Sequence, residues 1–320
     1  MRISKGVGIA GLVLFLHLTA CTEQPEQAIR IGSSPWPGYE PLYLARELGY
    51  FDEEEITLFE LPSADITMEA FRNHSVDVAS LPLDGILELL NDGARLRMIL
   101  IMDISNGGDA VLAHPDIKQL ADIQGKRIAA VNIPLGLYMV SRLLDKAGLE
   151  RKDIQLKLMS ETEQQAHYSQ GLADIVITYD PVKTALQKAG MKVIFDSADI
   201  PNEIFDVLVV HEEVYNNRRK AVCGVVNQWF KTLAYMQENP AAARAKMSLR
   251  LGVSETDFQN MMTGIVIPDK NEVIKMLGGE TPALMPAANR LASLLHKEGL
   301  VNELVDARTA IDPDFVSCIK

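Results

Sequence analysis

Apolar positions along this chain fall into three textures, and each predicts a different kind of element. The first is the apolar run over residues 6–18, behind the cationic Arg2 and Lys5. It is shorter than the ~20 residues that a membrane helix needs, and Leu18-Thr19-Ala20-Cys21 closes it. A basic head, a short apolar run and small residues predict a secretory signal peptide over residues 1–20. A cysteine directly behind the small residues forms a lipobox, so Cys21 is expected to become the diacylated first residue of the mature protein. Two acyl chains hold a bilayer far more firmly than one. Residues 21–28 are polar, carry Pro25 and predict a flexible tether. No later stretch reads as a membrane span.

The other two textures alternate. Short runs rich in Ile, Val and Leu predict strands, and apolar residues three or four apart predict helices. Residues 29–31 open a strand and 32–39 turn; Pro41 then suits a first helical position, with Leu42, Ala45 and Leu48 at helical spacing and Gly49 ending the helix. A strand at 56–61, a helix over 66–72 capped by Asp65, and a buried strand at 76–79 follow. Asp84 begins a helix reaching about Leu90, and 95–102 is a continuous apolar strand.

After Gly107-Gly108 the cycle restarts. Strands are predicted at 110–113, 128–131, 154–159, 175–178 and 193–195, with helices over 136–147, over 163–170 and from Pro181. Residues 205–210 read as a returning strand, and the remainder is almost entirely helical. Strands separated by helices build parallel sheets covered on both faces. The expectation is therefore α/β, with two α/β lobes: residues 29–104 plus 207–320 in one, 105–206 in the other. The chain would cross between them twice, over 102–110 and 205–210, and the helical C-terminal portion would pack back onto the first lobe.

Open α/β sheets place ligands at the carboxyl ends of their strands, beside helix N-termini. Those ends are 33–40, 80–85, 103–109, 132–138, 160–164 and 178–181, and they are expected to converge on one groove. Trp36 and Tyr39, in a Pro- and Gly-rich turn, can each offer a ring face and a polar tip. Ser34, Ser80 and Thr178 are small donors at strand ends, Asn132 and Tyr138 flank a helix start, and Tyr179 precedes Pro181.

Charge changes the picture more than shape does. Glu40, Asp84, Asp103, Asp109, Glu161, Glu163 and Asp180 fall on these segments, and no Lys or Arg does. A neutral polar or cationic small molecule, oriented by Asp103, Asp109, Asp180 or Asp84 between aromatic rings, fits such walls better than an anion. The whole chain carries 31 basic and 43 acidic residues, net −12, which argues against nucleic acid and against anionic lipid headgroups. Of three cysteines one is the expected anchor. Cys223 and Cys318 are left either to pair in an oxidising compartment or to remain two buried thiols.

The string Gly32-Ser33-Ser34-Pro35-Trp36-Pro37-Gly38-Tyr39-Glu40-Pro41-Leu42, with Ala45, Leu48-Gly49-Tyr50-Phe51 and Ile56 behind it, resembles the opening of the nitrate, sulfonate and taurine type solute-binding proteins. These serve ABC importers, and thiamine-precursor binders share the superfamily. Val76-Asp77-Val78-Ala79, residues 117–129 with Asp122-Ile123-Gln124-Gly125-Lys126, and Ala173-Asp174-Ile175-Val176 agree in order and spacing. The resemblance implies a type II periplasmic-binding-protein fold whose lobes close over a small molecule for delivery to an ABC permease. The cell envelope is the expected location, the lipid facing periplasm or exterior. Thr22, where an aspartate would mark inner-membrane retention, points to the outer membrane of a two-membrane envelope.

Two other outputs remain open: a lipoprotein that presents its bound form to a membrane signalling receptor, and an enzyme like the pyrimidine-making branch of the same fold. The sequence offers no catalytic constellation and no cofactor motif. The histidines at 17, 74, 114, 167, 211 and 296 have no second ligand at metal spacing, and neither a phosphate loop nor a Gly-x-Ser-x-Gly elbow is present.

Overall fold

The computed structural model describes residues 27–52 and 54–319. The expected signal peptide, Cys21 and most of the tether lie outside them.

The first α/β run gives β1 (Ile29–Ser33), α1 (Glu40–Glu47), β2 (Ile56–Glu60), α2 (Ala64–Arg72), β3 (Val78–Pro82), α3 (Leu83–Asn91) and β4 (Leu96–Ser105). The second gives β5 (Ala110–Ala113), β6 (Arg127–Val131), α4 (Pro134–Ala147), β7 (Gln155–Met159), α5 (Glu161–Ser169), β8 (Ile175–Thr178), α6 (Val182–Lys188) and β9 (Lys192–Asp196). Then come β10 (Phe205–His211), α7 (Glu212–Asn217), α8 (Arg219–Glu238), α9 (Pro240–Leu251), α10 (Glu255–Met262), β11 (Ile265–Val266), α11 (Lys270–Leu277) and α12 (Met285–Lys297). The α/β reading therefore holds. Ser63, and not Asp65, is the residue before α2; Asp65 lies in its first turn.

Two sheets form, ordered β11-β4-β10-β3-β1-β2 and β7-β6-β8-β5-β9. Neither is wholly parallel, which corrects the expectation. β1 runs parallel to β2 and β3, and β6 to β7 and β8, each through a helical crossover. β10 is antiparallel to β3 and β4, and β5 to β8 and β9.

The chain passes between the sheets at 106–109 and again at 197–204. The second passage precedes residues 205–210, which are fully within the first sheet and not a crossing. Both passages are stitched together. The Ser105 and Ser197 hydroxyls meet at 2.7 Å, Gly107 N–H donates to Ser197 Oγ at 2.6 Å, and Ser197 N–H donates to the Asp109 carbonyl at 2.9 Å.

The C-terminal helices return to the first sheet: α8 and α9 pack on α1, α11 on β4 and α12 on α3. Cys223 and Cys318 settle the open choice by forming a disulfide, Cα–Cα 5.7 Å, which fastens the last turn, Pro313–Cys318, to α8. Asn227 Nδ2 donates to the Cys318 carbonyl at 2.9 Å beside it. Among the described residues no helix is long and apolar enough to cross a membrane.

Candidate functional site

Where the strand ends of the two sheets face each other lies a cavity of about 20 Å³, room for roughly one water. From the side of the first sheet Ser34, Trp36, Tyr39, Ala64, Pro82 and Asp206 line it; Asp109, Ile133, Leu135 and Tyr179 complete it from the second. Of the candidates, Ser34, Trp36, Tyr39, Asp109 and Tyr179 are therefore wall residues.

The turn after β1 aims its aromatics because of two close approaches. A Cβ at Gly38 would lie 1.9 Å from Asp103 Oδ2, and one at Gly108 would lie 2.7 Å from the Trp36 ring, so only glycine lets these segments touch. Trp36 Nε1 donates to Asp103 Oδ2 at 3.0 Å. Its ring meets Tyr179 edge-on from the other sheet, centroids 5.8 Å apart at 88°, a favoured aromatic geometry. Tyr39 Oη donates to Asp206 Oδ1 at 2.6 Å.

Asp206 is the main residue that the sequence reading missed. It stands directly opposite Asp103 in the register of β4 and β10. Burial, with the Asp206 charge beside it, holds Asp103 well above the ordinary carboxylate range; Asp206 is pushed by burial only to about 6. Asp103 is thus the member of the pair disposed to hold a proton, and its Oδ1 has no hydrogen-bond partner among the described residues. Burial also pushes Asp109 to about 7 and Asp84 to about 8, and it raises Glu161. Among the described residues Asp109 Oδ2, Asp84 Oδ2, Ser80 Oγ and Thr178 Oγ1 have no hydrogen-bond partner.

The other carboxylates are spoken for. Glu40 is gripped by Arg250, whose Nε donates at 2.6 Å, and Glu163 caps α5 through Ser160. Asp180 accepts from Thr184 N at 3.0 Å and pairs with Lys183 Nζ at 2.8 Å. Lys183, buried and two residues beyond the strand-end segment 178–181, also donates to the Gly107 carbonyl at 2.8 Å. Arg250 and Lys183 are the counter-charges that the sequence reading did not place.

Several candidates do not reach the cavity. Asn132 is exposed, because Val131 and Ile133 take the inward positions on either side of it. Tyr138 is buried but donates to Glu203, which also accepts from Arg142 Nε at 3.0 Å. Asp103 stands behind Trp36, Ser80 and Asp84 are buried without lining the cavity, and Asp180 caps α6.

One contact joins the sheets across the cavity rim. Glu161, first residue of α5, accepts from Tyr179 Oη at 3.0 Å and from the amide of Ala64, first residue of α2, at 3.3 Å. A second, exposed link pairs Lys188 with Asp257 at 2.6 Å.

Comparison places these features. A putative aliphatic sulfonates-binding protein from Escherichia coli (strain K12) is 22% identical over 318 residues, covering 97% of each chain. The crystal structure of the periplasmic aliphatic sulphonate binding protein from Escherichia coli matches with a TM-score of 0.74 at 20% identity, over 90% of this chain and 92% of that one. A desulfurization enzyme matches with a TM-score of 0.68 at 16% identity, over 91% and 98%. The fold is thus the two-sheet periplasmic-binding-protein fold expected from the sequence. Residues 36–243, from the Trp36 turn through both sheets into α9, match the family described as NMT1/THI5 like, and the chain belongs to that family.

Proposed function

We propose that this chain is an extracytoplasmic solute-binding protein that closes over a small polar molecule and delivers it to an ABC importer. The observation that carries this reading is a cavity walled by residues of both sheets, with the chain crossing between them, among the described residues, at two adjacent, stitched segments. Residues 29–104 plus 207–320 would move as one lobe against 105–206. Closure of this kind needs the solute to contribute more in the closed arrangement than in the open one. Cys21 would carry the lipid that keeps the protein at the envelope, after removal of residues 1–20.

The relative from Escherichia coli is named for aliphatic sulfonates, yet the cavity here presents Asp109 and Asp206 and no free cation among the described residues. That supports a neutral polar or cationic solute. A strain lacking this chain should lose uptake of whatever solute copurifies with it, and that solute should come back chemically unchanged after long incubation. The likeness to a desulfurization enzyme makes catalysis the second reading; turnover of the copurified molecule would replace binding with that reading.

A further inference from the structure

We propose that the cavity, once the two sheets part to widen it beyond the one water it admits as it stands, takes an organic ammonium ion, its N–H groups held by Asp109 and Asp206 beneath the rings of Trp36, Tyr39 and Tyr179, and its alkyl part against Pro82, Ile133 and Leu135. The proposal rests on the binding reading and names the class of solute. It begins from the donors and acceptors that the walls offer. The Trp36 N–H is engaged by Asp103, the Tyr39 hydroxyl by Asp206 and the Tyr179 hydroxyl by Glu161. Lys183 is engaged by Asp180 and the Gly107 carbonyl. What is left is an acceptor: Asp109 is 3% exposed, lines the cavity, and its Oδ2 lacks a partner among the described residues. With Asp109 ionised, a guest that donates satisfies it.

The place where an anion would settle is already filled. Helix N-termini gather negative charge through their free amides, and the first residue of α2, Ala64, lines this cavity. Its amide receives Glu161 from the other sheet. A sulfonate would have to displace that carboxylate while facing Asp109 and Asp206. An ammonium group instead supplies the charge that this cluster lacks, and aromatic faces favour it further. Pro82, Ile133 and Leu135 offer no polar side chain, which suits a short alkyl portion.

The groups facing Asp109 are Asp206, Asp103, Asp84, Asp180, Lys183 and Tyr179. Burial keeps Asp84, Asp109 and Asp206 partly protonated near neutrality, so a cation should expel protons as it binds. A neutral guest should not.

Three probes of equal alkyl length decide the matter: n-butylamine, n-butanol and butane-1-sulfonate, titrated calorimetrically into the full mature chain near pH 7 in two buffers of different ionisation enthalpy. The amine should bind at least 100-fold more tightly than either other probe, with protons released. Asp109→Asn should abolish the preference, and its apo melting temperature at pH 8 should not fall, because a buried charge is removed. If Asp109→Asn fails to fold, Asp206→Asn serves the same purpose. Equal or tighter binding of the sulfonate or the alcohol overturns the proposal, as does amine binding without proton release. Binding of none of the three also overturns it. The binding reading survives each of these if an uncharged or anionic solute copurifies and its uptake depends on the chain, and falls if neither is found.

Discussion

The carboxyls of Asp103 and Asp206 face each other across the antiparallel pair β4 and β10, and a proton on Asp103 stands where a counter-ion would otherwise be required. Trp36 and Tyr39 each give one of them a hydrogen bond. Two strands and one turn thus govern Asp206, while Asp109 reaches the cavity from the passage between the sheets.

That arrangement fixes how stability depends on pH. Asp84 at about 8 and Asp109 at about 7 lie above the ordinary aspartate value near 4. Their folded forms hold protons that the unfolded chain gives up, so stability falls as pH rises through these values. His211, depressed to about 4 by burial, acts in the opposite direction below its unfolded value of 6.5. Between pH 6.5 and 8.5 the carboxyls, Asp103 among them, act alone, and the solute-free protein should lose at least about 3 kcal/mol. Denaturant melts across that window test this, and Asp84→Asn should remove part of the loss.

The sequence marks Trp36 as a cleft aromatic, and its 5% exposure makes it part of the core as well. Trp36→Ala should cost about 3–5 kcal/mol in the solute-free protein. Trp36→Phe keeps a ring and deprives buried Asp103 of its donor, for about 1–3 kcal/mol. A melting temperature unchanged in both would place the indole outside the packing described.

Glu161 offers a test of closure. Glu161→Ala takes away the acceptor shared by Ala64 and Tyr179, so the solute-free variant should show a larger radius of gyration in small-angle scattering, with solute affinity reduced about tenfold, equivalent to ~1.4 kcal/mol. An identical scattering curve would mean that this contact does not hold the halves together.

The disulfide spans 95 residues of chain. Opening a loop of that size costs up to about 4–5 kcal/mol on a chain-entropy account. Cys318→Ser should therefore lower the melting temperature while leaving solute affinity unchanged, since both cysteines sit away from the cavity wall. Calorimetric unfolding of the oxidised protein and the variant measures the difference.

Cys21→Ser should release the protein from the membrane fraction without altering binding. A variant that still sediments with membranes as the wild type does would remove the lipid anchor from the reading.

Much of the fold was legible because buried strands such as Ile175–Thr178 are continuous apolar runs and helices such as α3 keep their apolar spacing. β11 was not: two residues, Ile265–Val266, carry no periodicity and pair only because β4 offers an edge. In the site, Trp36, Tyr39, Asp109 and Tyr179 were found because strand ends and turn chemistry mark them. Asp206 was missed although its signal is present, a carboxylate heading the apolar run Val207 to Val210 opposite another at Asp103. Lys183 lay beyond the strand-end window, and only the turn of α6 brings it back toward Gly107. Asn132 shows the reverse error, since proximity in sequence to a strand end does not fix which side of the backbone a residue takes.

The stitched Ser105 and Ser197 hydroxyls carry a mechanical consequence. If the halves close as proposed, two independent straps would let them twist and slide as well as open, whereas straps pinned to one another would favour a single axis, as two knuckles share one pin in a door. Substitutions there would alter how readily the door swings without touching anything the guest meets, so grip could be retuned from a distance.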